Sequence, residues 1–600
     1  MNKWTNKTRR AWQIWRKNGF GGIRQSFSRK LSITRENRNY QKWMREVNAL
    51  TDTKRADMRR EIERFKHRPL ISVVLPVYNV EERWLRLCID SVIGQLYENW
   101  ELCIADDCSP LPHIRRVLEE YAAQDNRIKV VFRQENGHIS AASNSALELA
   151  TGEFTALLDH DDELSEDALF YVAREINAFP ATEMIYSDED MIDERGRRDR
   201  PKFKPDWSRD LFYSLNLITH LSVYRTETLR KIGGFRIGME GSQDYDLALR
   251  FTEQIPENRI RHIPKILYHW RAIKGSVALS GDEKPYAHER AREALRAHFE
   301  RIGKPVVVSQ TVYNLHRVQY KLPEQPPKVS LIVLVDDDFD AASRAIKIFS
   351  ENTEYPQCEI VLVGSEKTRI EFEAKNSKAA QLLEKQSFPL KFIVCEKESE
   401  AEKYNFAAAQ SNGEVLCFVD ANLKPEASDW LAEMAAFAYQ QEIGAIGAKL
   451  LDGDDRILHA GLIIGAHDSI GIAHYGFPRG DGGSFARTRL VNNFSAISVS
   501  CLMTRREVFE SIDGFDAENF PNRFFDADFC LKLREKDFRI VFTPYAELIK
   551  IDEKRRLNLE KDPTAAEEDY FLKKWKKIIE RDPFYNPNLS KKDASFSIEI

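Results

Sequence analysis

Phe154-Thr155-Ala156-Leu157-Leu158-Asp159-His160-Asp161-Asp162-Glu163 is a short, mostly apolar run that ends in a cluster of acids. It follows Thr151-Gly152-Glu153 and reads as a buried strand entered from a turn. In an extended segment Asp159 and Asp161 lie two apart and point the same way. Carboxylate oxygens gathered on one side suit a hard divalent ion such as Mg²⁺ or Mn²⁺, which keeps waters and bridges to phosphates. A solvated acidic turn is the plainer reading of an isolated Asp-x-Asp, so the neighbouring sequence has to decide.

Upstream, Ile71 to Pro76 is an apolar strand that ends at Pro76-Val77-Tyr78-Asn79, and Trp84, Leu87, Ile89 and Val92 follow in a helical pattern. Glu101 to Ala105 is a second strand, ending in Asp106-Asp107-Cys108-Ser109. Another helix and a third strand, Ile128 to Phe132, lead to Asn136-Gly137 and Asn144. Alternating strands and helices predict an α/β fold with a mostly parallel sheet, and such sheets bind ligands at the carboxyl ends of their strands. Pro76, Asp107 and Asp159 all stand at such ends. An enzyme that forms sugar nucleotides shares this layout but needs a Gly-rich phosphate loop after the first strand, and Pro76 to Glu82 contains no glycine.

The 600 residues exceed one core and predict two domains or more. Hydrophobic and charged contents of 42% and 30% are globular values, and no apolar run reaches the length of a membrane span. The N-terminus has no apolar signal region, and the eight cysteines form no Cys-x-x-Cys pair. Both point to a reducing cytoplasm. The net charge of -5 hides an asymmetry: residues 1–68 carry 20 Lys/Arg against 6 Asp/Glu, which leaves -19 for the rest. Trp4, Trp12, Ile14, Trp15, Phe20, Ile23 and Phe27 are interleaved with Lys and Arg. This extension either lies on the anionic inner face of the plasma membrane or packs as a basic helical arm on the acidic body. Nothing else in the chain supports nucleic-acid binding.

The architecture recurs. Asn405, Gly413 and Asp420 each lie 261 positions after Asn144, Gly152 and Asp159. Val329 to Val335 and Glu359 to Val363 repeat the first strands, Gly514-Phe515 answers Gly234-Phe235, and Asp526-Ala527-Asp528 answers Asp244-Tyr245-Asp246. Matches in one order along both halves predict a duplicated domain. The expected organisation is a basic helical extension over 1–68, a first domain over 69–300, a linker marked by Pro323, Pro326 and Pro327 over 301–327, and a second domain over 328–600.

Val74 to Asn79, Asp106 to Ser109, Ala142-Ser143-Asn144, Leu158 to Asp162, Glu240 to Asp246 and Leu267 to Arg271 together resemble glycosyltransferase family 2. The resemblance covers roughly residues 70–280 and implies tandem Rossmann-like GT-A nucleotide-sugar domains. By that resemblance Asp107 would contact the nucleotide base, Pro76 and Tyr78 would line its pocket, and Asn144 and Asp159 would belong to the nucleotide-sugar site, with Asp159 facing the ribose. Asp161 would hold Mg²⁺ or Mn²⁺ on the diphosphate, with His269 as a further metal or diphosphate contact, or else as a member of an aromatic cluster beside Tyr268 and Trp270. Asp244 matches the base position of an inverting transfer, and Asp246 is expected to cap or orient the following helix. Ser187-Asp188-Glu189-Asp190 reads as a solvated acidic loop, with shaping of an acceptor site as the alternative.

Residues 328–590 also resemble the family, particularly the C-terminal modules of bacterial polysaccharide enzymes. Ile443 to Leu450, His459-Ala460-Gly461, Asp526 to Leu533 and Asp582 to Leu589 carry that likeness. Here Gly364-Ser365 replaces Asp106-Asp107, the metal pair has become Asp420 and Asn422, and Lys550 takes the place of His269. The module is either a non-catalytic partner that holds acceptor glycan or a metal-independent transferase using Asp420, Asp526 and Lys550. The function implied is an inverting hexosyl- or rhamnosyltransferase that moves a sugar from a nucleotide-diphospho-sugar to a glycan, expected to be lipid-linked, in bacterial surface polysaccharide assembly. A transferase with both modules active, or a non-enzymatic glycan-binding scaffold, are the alternatives.

Overall fold

The computed structural model describes residues 37–273, 285–375, 388–592 and 594–600. The first sheet is built from β1 (Ile71–Val77), β2 (Trp100–Asp106), β3 (Ile128–Phe132), β4 (Phe154–Leu157), β5 (Glu163–Leu164), β6 (Met184–Ile192), β7 (Arg198–Lys202), β8 (Ser222–Arg225) and β9 (Ile260–Arg271). Its order is β3-β2-β1-β4-β8-β6-β9-β5, with β7 beside β6. β1 runs parallel to both β2 and β4, with Ile71 opposite Trp100 and Phe154. Every residue of β1 and β2 is buried, which is why both read as continuous apolar runs. The helix Glu82–Ile93 buries Trp84, Leu85, Cys88, Ile89 and Val92, one stripe at helical spacing.

A β-hairpin comes next, β10 (Val306–Gln310) and β11 (His316–Tyr320). The strands of the second unit follow: β12 (Val329–Asp336), β13 (Cys358–Gly364), β14 (Leu390–Val394), β15 (Val415–Val419), β16 (Leu423–Pro425), β17 (Ile443–Leu451), β18 (Ile457–His459), β19 (Leu462–Ile464), β20 (Ile470–Ile472), β21 (Asn492–Asn493), β22 (Cys501–Arg505) and β23 (Arg539–Lys550), all but β19 and β20 in one sheet. Its main path is β14-β13-β12-β15-β22-β17-β23-β16, and β19 pairs with β20 apart from it. The central pairings repeat those of the first sheet: β12 parallel to β13 and β15, β15 antiparallel to β22, β17 parallel to β23, β16 antiparallel to β23. The α/β fold expected as two tandem units is the one observed.

The repeat extends to single hydrogen bonds. Ser72 Oγ donates to Glu101 at 2.6 Å and accepts from Gly152 N at 2.9 Å; Ser330 Oγ donates to Glu359 at 2.6 Å and accepts from Gly413 N at 2.7 Å. A Cβ on Gly152 or Gly413 would come within 2.5 Å of backbone, so both turns require glycine. Asn144 donates to Phe235 O and accepts from Phe235 N, both at 2.8 Å, and Asn405 does the same with Phe515 at 2.8 and 2.9 Å. Gly234 and Gly514 precede those phenylalanines with φ of +62° and +65°, the left-handed conformation that favours glycine.

One expectation is revised, and one of two alternatives holds for the described part of the N-terminal extension. The stretch 301–327 is a packed joint, not a free linker. Val308, Val318 and Tyr320 of the hairpin are buried in one cluster that runs from Val74 and Tyr245 to Val333 and Phe437. Proline signalled a break in local structure, and it gave no information about the faces that the hairpin covers. The N-terminal extension is helical where it is described, over 37–46 and Asp52–Glu63. Tyr40 and Trp43 are buried among Phe203 and Ile266 of the first unit and Leu451, Phe542 and Tyr585 of the second. This part of the arm packs on the body, while Trp4 to Phe27 lie outside the described residues. Other contacts join the units directly: Arg539 to Asp210 at 3.0 Å and Asn586 to Asp188 at 2.9 Å.

Candidate active site

The carboxyl ends of β1, β2 and β4 form one edge, and the side chains singled out in the first unit gather there. Asp107 follows β2, and its N–H donates to Val77 O at 2.9 Å. Its buried carboxylate accepts from Arg133 Nε at 2.8 Å and Gly137 N at 2.9 Å. A Cβ at Gly137 would sit 2.6 Å from the Arg133 guanidinium, so the glycine admits the arginine. Pro76 is buried within β1 and its carbonyl accepts from His160 Nδ1 at 3.1 Å. Tyr78 stands 45% exposed at the lip, beside Asn79 in a left-handed conformation.

The acid run is a turn and not an extension of β4: Asp162 N donates to Asp159 O at 3.1 Å. Two side chains of β9 strap it. Tyr268 OH donates to Asp162 at 2.6 Å and accepts from Asp159 N at 3.2 Å. Arg271 donates its N–H to Asp162 and its Nε–H to Asp161 O, each at 2.7 Å, with its guanidinium over Trp84 at 4.4 Å. Asp162 is fully buried while Asp159 and Asp161 are half-buried. Burial pushes the Asp161 carboxyl up, and His160 offsets part of that.

Asp244 lies in the first turn of the helix Gln243–Thr252, where an acid is favoured. It accepts from Asn216 Nδ2 at 2.8 Å. Burial raises its pKa, with His220 lowering it and Asp159 raising it. Asp246 makes no N-cap bond. It is fully buried between Arg236 at 2.5 Å and Arg250 at 2.9 Å and orients the helix. Asn144 spends one donor and one acceptor of its amide on the Phe235 backbone.

Ser187 to Asp190 were expected as a solvated loop; instead they are buried in the centre of β6. Asp188 accepts from His262 at 2.9 Å and Lys204 N at 2.8 Å, and Asp190 from Arg198 at 2.6 Å and His269 Nδ1 at 2.7 Å. Glu189 is bonded to Lys202 at 2.5 Å, Lys204 at 3.0 Å, Thr219 at 2.8 Å and His220 at 3.2 Å. Burial alone would raise the Glu189 carboxyl, and these cations hold it well below the usual range instead. The partners come from other strands and loops, so no local pattern announces them.

His220 is the residue that sequence reasoning missed. It stacks on Tyr268 with ring centroids 4.2 Å apart, and its ligating nitrogen lies with carboxylate oxygens of Asp159 and Asp162 inside a mutual 4.8 Å. Among the described residues this is the group of three that could hold a metal ion. It overlaps the expected ligand region but differs from the pair Asp161 and His269. Two hard oxygens and an imidazole nitrogen fit a divalent cation of the Mg²⁺ or Mn²⁺ type. The only signal in sequence was a histidine in Thr219-His220-Leu221 just before β8.

In the second unit the same place is built differently. Lys550 pairs with Leu423 and His269 with Glu163, each at the first residue of its short edge strand. The Lys550 ammonium is buried and held by Glu560 at 3.0 Å. Counted forward from Asp420, Asn422 stands where Asp161 does; counted back from the paired edge strand, it stands where Asp162 does. The turn is one residue shorter, and Asn422 takes over the bracing, donating to Asp552 O at 2.8 Å and Arg555 O at 3.2 Å. Asp526 accepts from Val499 N at 2.9 Å, and Asp528 from Trp575 Nε1 at 2.9 Å. Arg555 reaches Asp338 at 2.8 Å, and Asn558 reaches Glu400 at 2.8 Å. Residues 551–562 therefore cross the edge that is the crevice of the first unit.

Residues 72–233 match the family model described as Glycosyl transferase family 2. Protein y4gI of Sinorhizobium fredii is 41% identical over 88% of this chain and 58% of its own length. The O-antigen biosynthesis protein RfbC of Myxococcus xanthus is 34% identical over 88% of this chain and 41% of its own. WcaA of Escherichia coli, named for colanic acid biosynthesis, is 31% identical over 32% of this chain and 69% of its own. The chain spans about half the length of the first two relatives. The sequence match over the crevice-forming strands, joined to the fold around them, shows that this chain belongs to glycosyltransferase family 2.

Proposed function

We propose that the first unit is an inverting glycosyltransferase site that takes a sugar from a nucleotide-diphospho-sugar and passes it to a glycan acceptor. The observation that carries this reading is the meeting of Asp159, Asp162 and His220 at the strand ends, with Asp107 on the same edge. Asp107, Pro76 and Tyr78 hold the base and Asp159 faces the ribose. Asp161 would hold Mg²⁺ or Mn²⁺ together with the neighbouring group of Asp159, Asp162 and His220. A divalent cation, when bound, supplies positive charge next to the departing diphosphate.

Asp244 is assigned as the base. Its carboxylate takes the proton of the acceptor hydroxyl while that oxygen bonds to the anomeric carbon. The bond from that carbon to the diphosphate oxygen breaks, and its electron pair leaves on the diphosphate. Attack opposite the leaving group inverts the centre. The raised pKa of Asp244 makes it a stronger proton acceptor than an ordinary aspartate, which suits a general base.

The second unit acts as a non-catalytic partner that holds acceptor. The observation favouring this over a second active module is that Lys550, Asn422 and the 551–562 segment already satisfy one another. The likeness to RfbC and WcaA supports a place in surface polysaccharide assembly, with a lipid-linked acceptor at the inner face of the plasma membrane. Among the described residues no helix is long and apolar enough to cross a membrane. The basic, aromatic residues 1–36 suit contact with an anionic surface.

The test is release of nucleoside diphosphate from a panel of UDP- and dTDP-sugars with Mn²⁺ and extracted lipid-linked acceptors. Release that is lost in Asp161→Ala and kept in Asp526→Ala supports this assignment. The reverse pattern moves the active site to the second unit, and release from no donor turns the reading into a scaffold.

A further inference from the structure

We infer that a cavity of about 550 Å³ in the second unit binds a neutral saccharide segment of the acceptor glycan. The inference rests on the proposed reading in which the second unit holds acceptor. The strand-end crevice of that unit is closed by its own side chains, so an acceptor needs another seat. Thr311, Asp455, Arg479, Arg489, Tyr545 and Glu547 line the cavity, and none of Asp420, Asn422, Asp526 and Lys550 belongs to it. Its volume falls within the range of small-molecule sites.

The walls are built from the sheet outward. Ala448 pairs with Thr543 and Lys449 with Glu547, so residues 544–546 leave the β17–β23 ladder as a bulge. A bulge re-aims side chains, and from this one Tyr545 reaches the joint hairpin. Its OH donates to Thr311 Oγ1 at 3.0 Å, and Arg317 lies over its ring at 3.9 Å. Buried Lys449 lies 3.0 Å from Glu547 Oε1 and donates to Arg479 O at 2.9 Å. Arg479 lies 2.7 Å from Glu547, 3.1 Å from Glu426 and 3.3 Å from Asp455. Each charged group of this network is held by another, which fixes the wall before any ligand arrives.

The chemistry of the lining suits hydroxyl groups. A sugar hydroxyl both donates and accepts, and guanidinium forks set beside carboxylates answer both needs. The charged liners are Arg479 and Arg489 against Asp455 and Glu547, a balance that selects neither a phosphate nor a metal ion. Arg489 Nη1 donates to Gly480 O at 3.2 Å, and among the described residues no acid pairs with it, so most of its N–H donors are left for a ligand. Tyr545 adds ring surface with a polar tip. The hairpin also links the cavity to the first unit. Beside Arg317, His316 stacks on Tyr245 with ring centroids 6.0 Å apart, and Tyr245 follows Asp244 in the chain. A glycan seated here is held at the joint that packs on the helix of the proposed base.

The experiment immobilises the full chain and measures its affinity for tritium-labelled lipid-linked glycan extracted from cells that produce it. Nucleoside-diphosphate release without acceptor and the melting temperature are read alongside. The variants are Gly480→Trp, Gly480→Ala and Arg489→Ala. Gly480 lines the cavity, a Cβ there meets nothing within 4 Å, and its φ lies outside the left-handed region, so Gly480→Trp obstructs the cavity without backbone strain. Glycan affinity is expected to fall about tenfold in Arg489→Ala, as one hydrogen bond from a charged donor is lost, and further in Gly480→Trp. Gly480→Ala and the release of nucleoside diphosphate should be unchanged. Unaltered glycan affinity in both Gly480→Trp and Arg489→Ala overturns the inference and leaves the acceptor reading standing. A lower melting temperature in Gly480→Trp moves the decision to Arg489→Ala, whose hydrogen bond goes to a backbone carbonyl. No binding by the unsubstituted chain overturns the acceptor reading and the inference together. Binding that inorganic phosphate displaces identifies an anion site and overturns the saccharide assignment.

Discussion

The two crevices of this chain share a backbone and differ in what fills them. Both stand at the carboxyl edge of a sheet of the same order, and both are held by the same serine–glutamate and asparagine–phenylalanine bonds. In the first, Asp159, Asp162 and His220 bring their ligating atoms together. In the second, a lysine, an asparagine and the segment 551–562 close on each other. A fold can thus be repeated down to single hydrogen bonds while the side chains at the strand ends pair internally in one copy.

The sharpest way to break this comparison is to neutralise the matching acids one at a time. Asp244→Asn is expected to lower kcat for sugar transfer by about 10²- to 10⁴-fold, the usual contribution of a general base. Asp526→Asn should leave the rate unchanged. A linked pH profile adds a sign. Asp244 must be ionised to act and its pKa is raised by burial, so activity is lost on acidification at a higher pH than an ordinary aspartate would give. A rate profile that is flat down to the ordinary range of Asp removes Asp244 from the role.

The next contrast concerns what the units share. Burial would raise Glu101 and Glu359, yet both are held at about 2, by Lys129, Ser72 and Thr151 in one unit and by Ser330, Asn412 and Lys328 in the other. A depressed carboxyl stabilises the fold above its unfolded value and loses that contribution as pH falls through its folded value. Each glutamate is expected to contribute on the order of 3 kcal/mol near neutral pH, lost between about pH 5 and pH 2. Urea unfolding across that window, repeated with Glu101→Gln and Glu359→Gln, should show similar flattening for both.

A smaller effect separates structure from chemistry. Lys550→Ala leaves Glu560 without its buried partner and is expected to cost about 1–3 kcal/mol in thermal or urea unfolding, with donor hydrolysis unaltered. Hydrolysis that falls with it would restore the second module as a transferase. Asn144→Ala and Asn405→Ala each strip both bonds from a phenylalanine backbone and should cost about 1–2 kcal/mol apiece. Of the two, only Asn144→Ala should also slow transfer, since Phe235 lies just upstream of the proposed base Asp244.

Much of this was legible before any coordinate. The 261-residue spacing announced the duplication, and the strand ends located Asp107 and Asp159. Position was easier to read than role. Asn144 stands in a motif of the site yet serves the backbone, and His220 lies in the site without a motif. Ser187 to Asp190 look solvated because their partners are Lys202, Lys204, Arg198 and three histidines of other segments.

The sequence by itself determined two α/β units, their strand order along the chain, and which unit kept its acids, because alternation, helical spacing and repeat distance are local properties that survive without a third dimension. The tertiary structure alone decided that the proline-marked stretch is a packed joint, that the acidic run of β6 is buried and neutralised, that the second crevice is closed, and that Tyr40 packs where both units meet. Those are pairings between residues tens to hundreds of positions apart, and the free energy that fixes them comes from desolvation and charge compensation at the point of contact, which no spacing along the chain encodes.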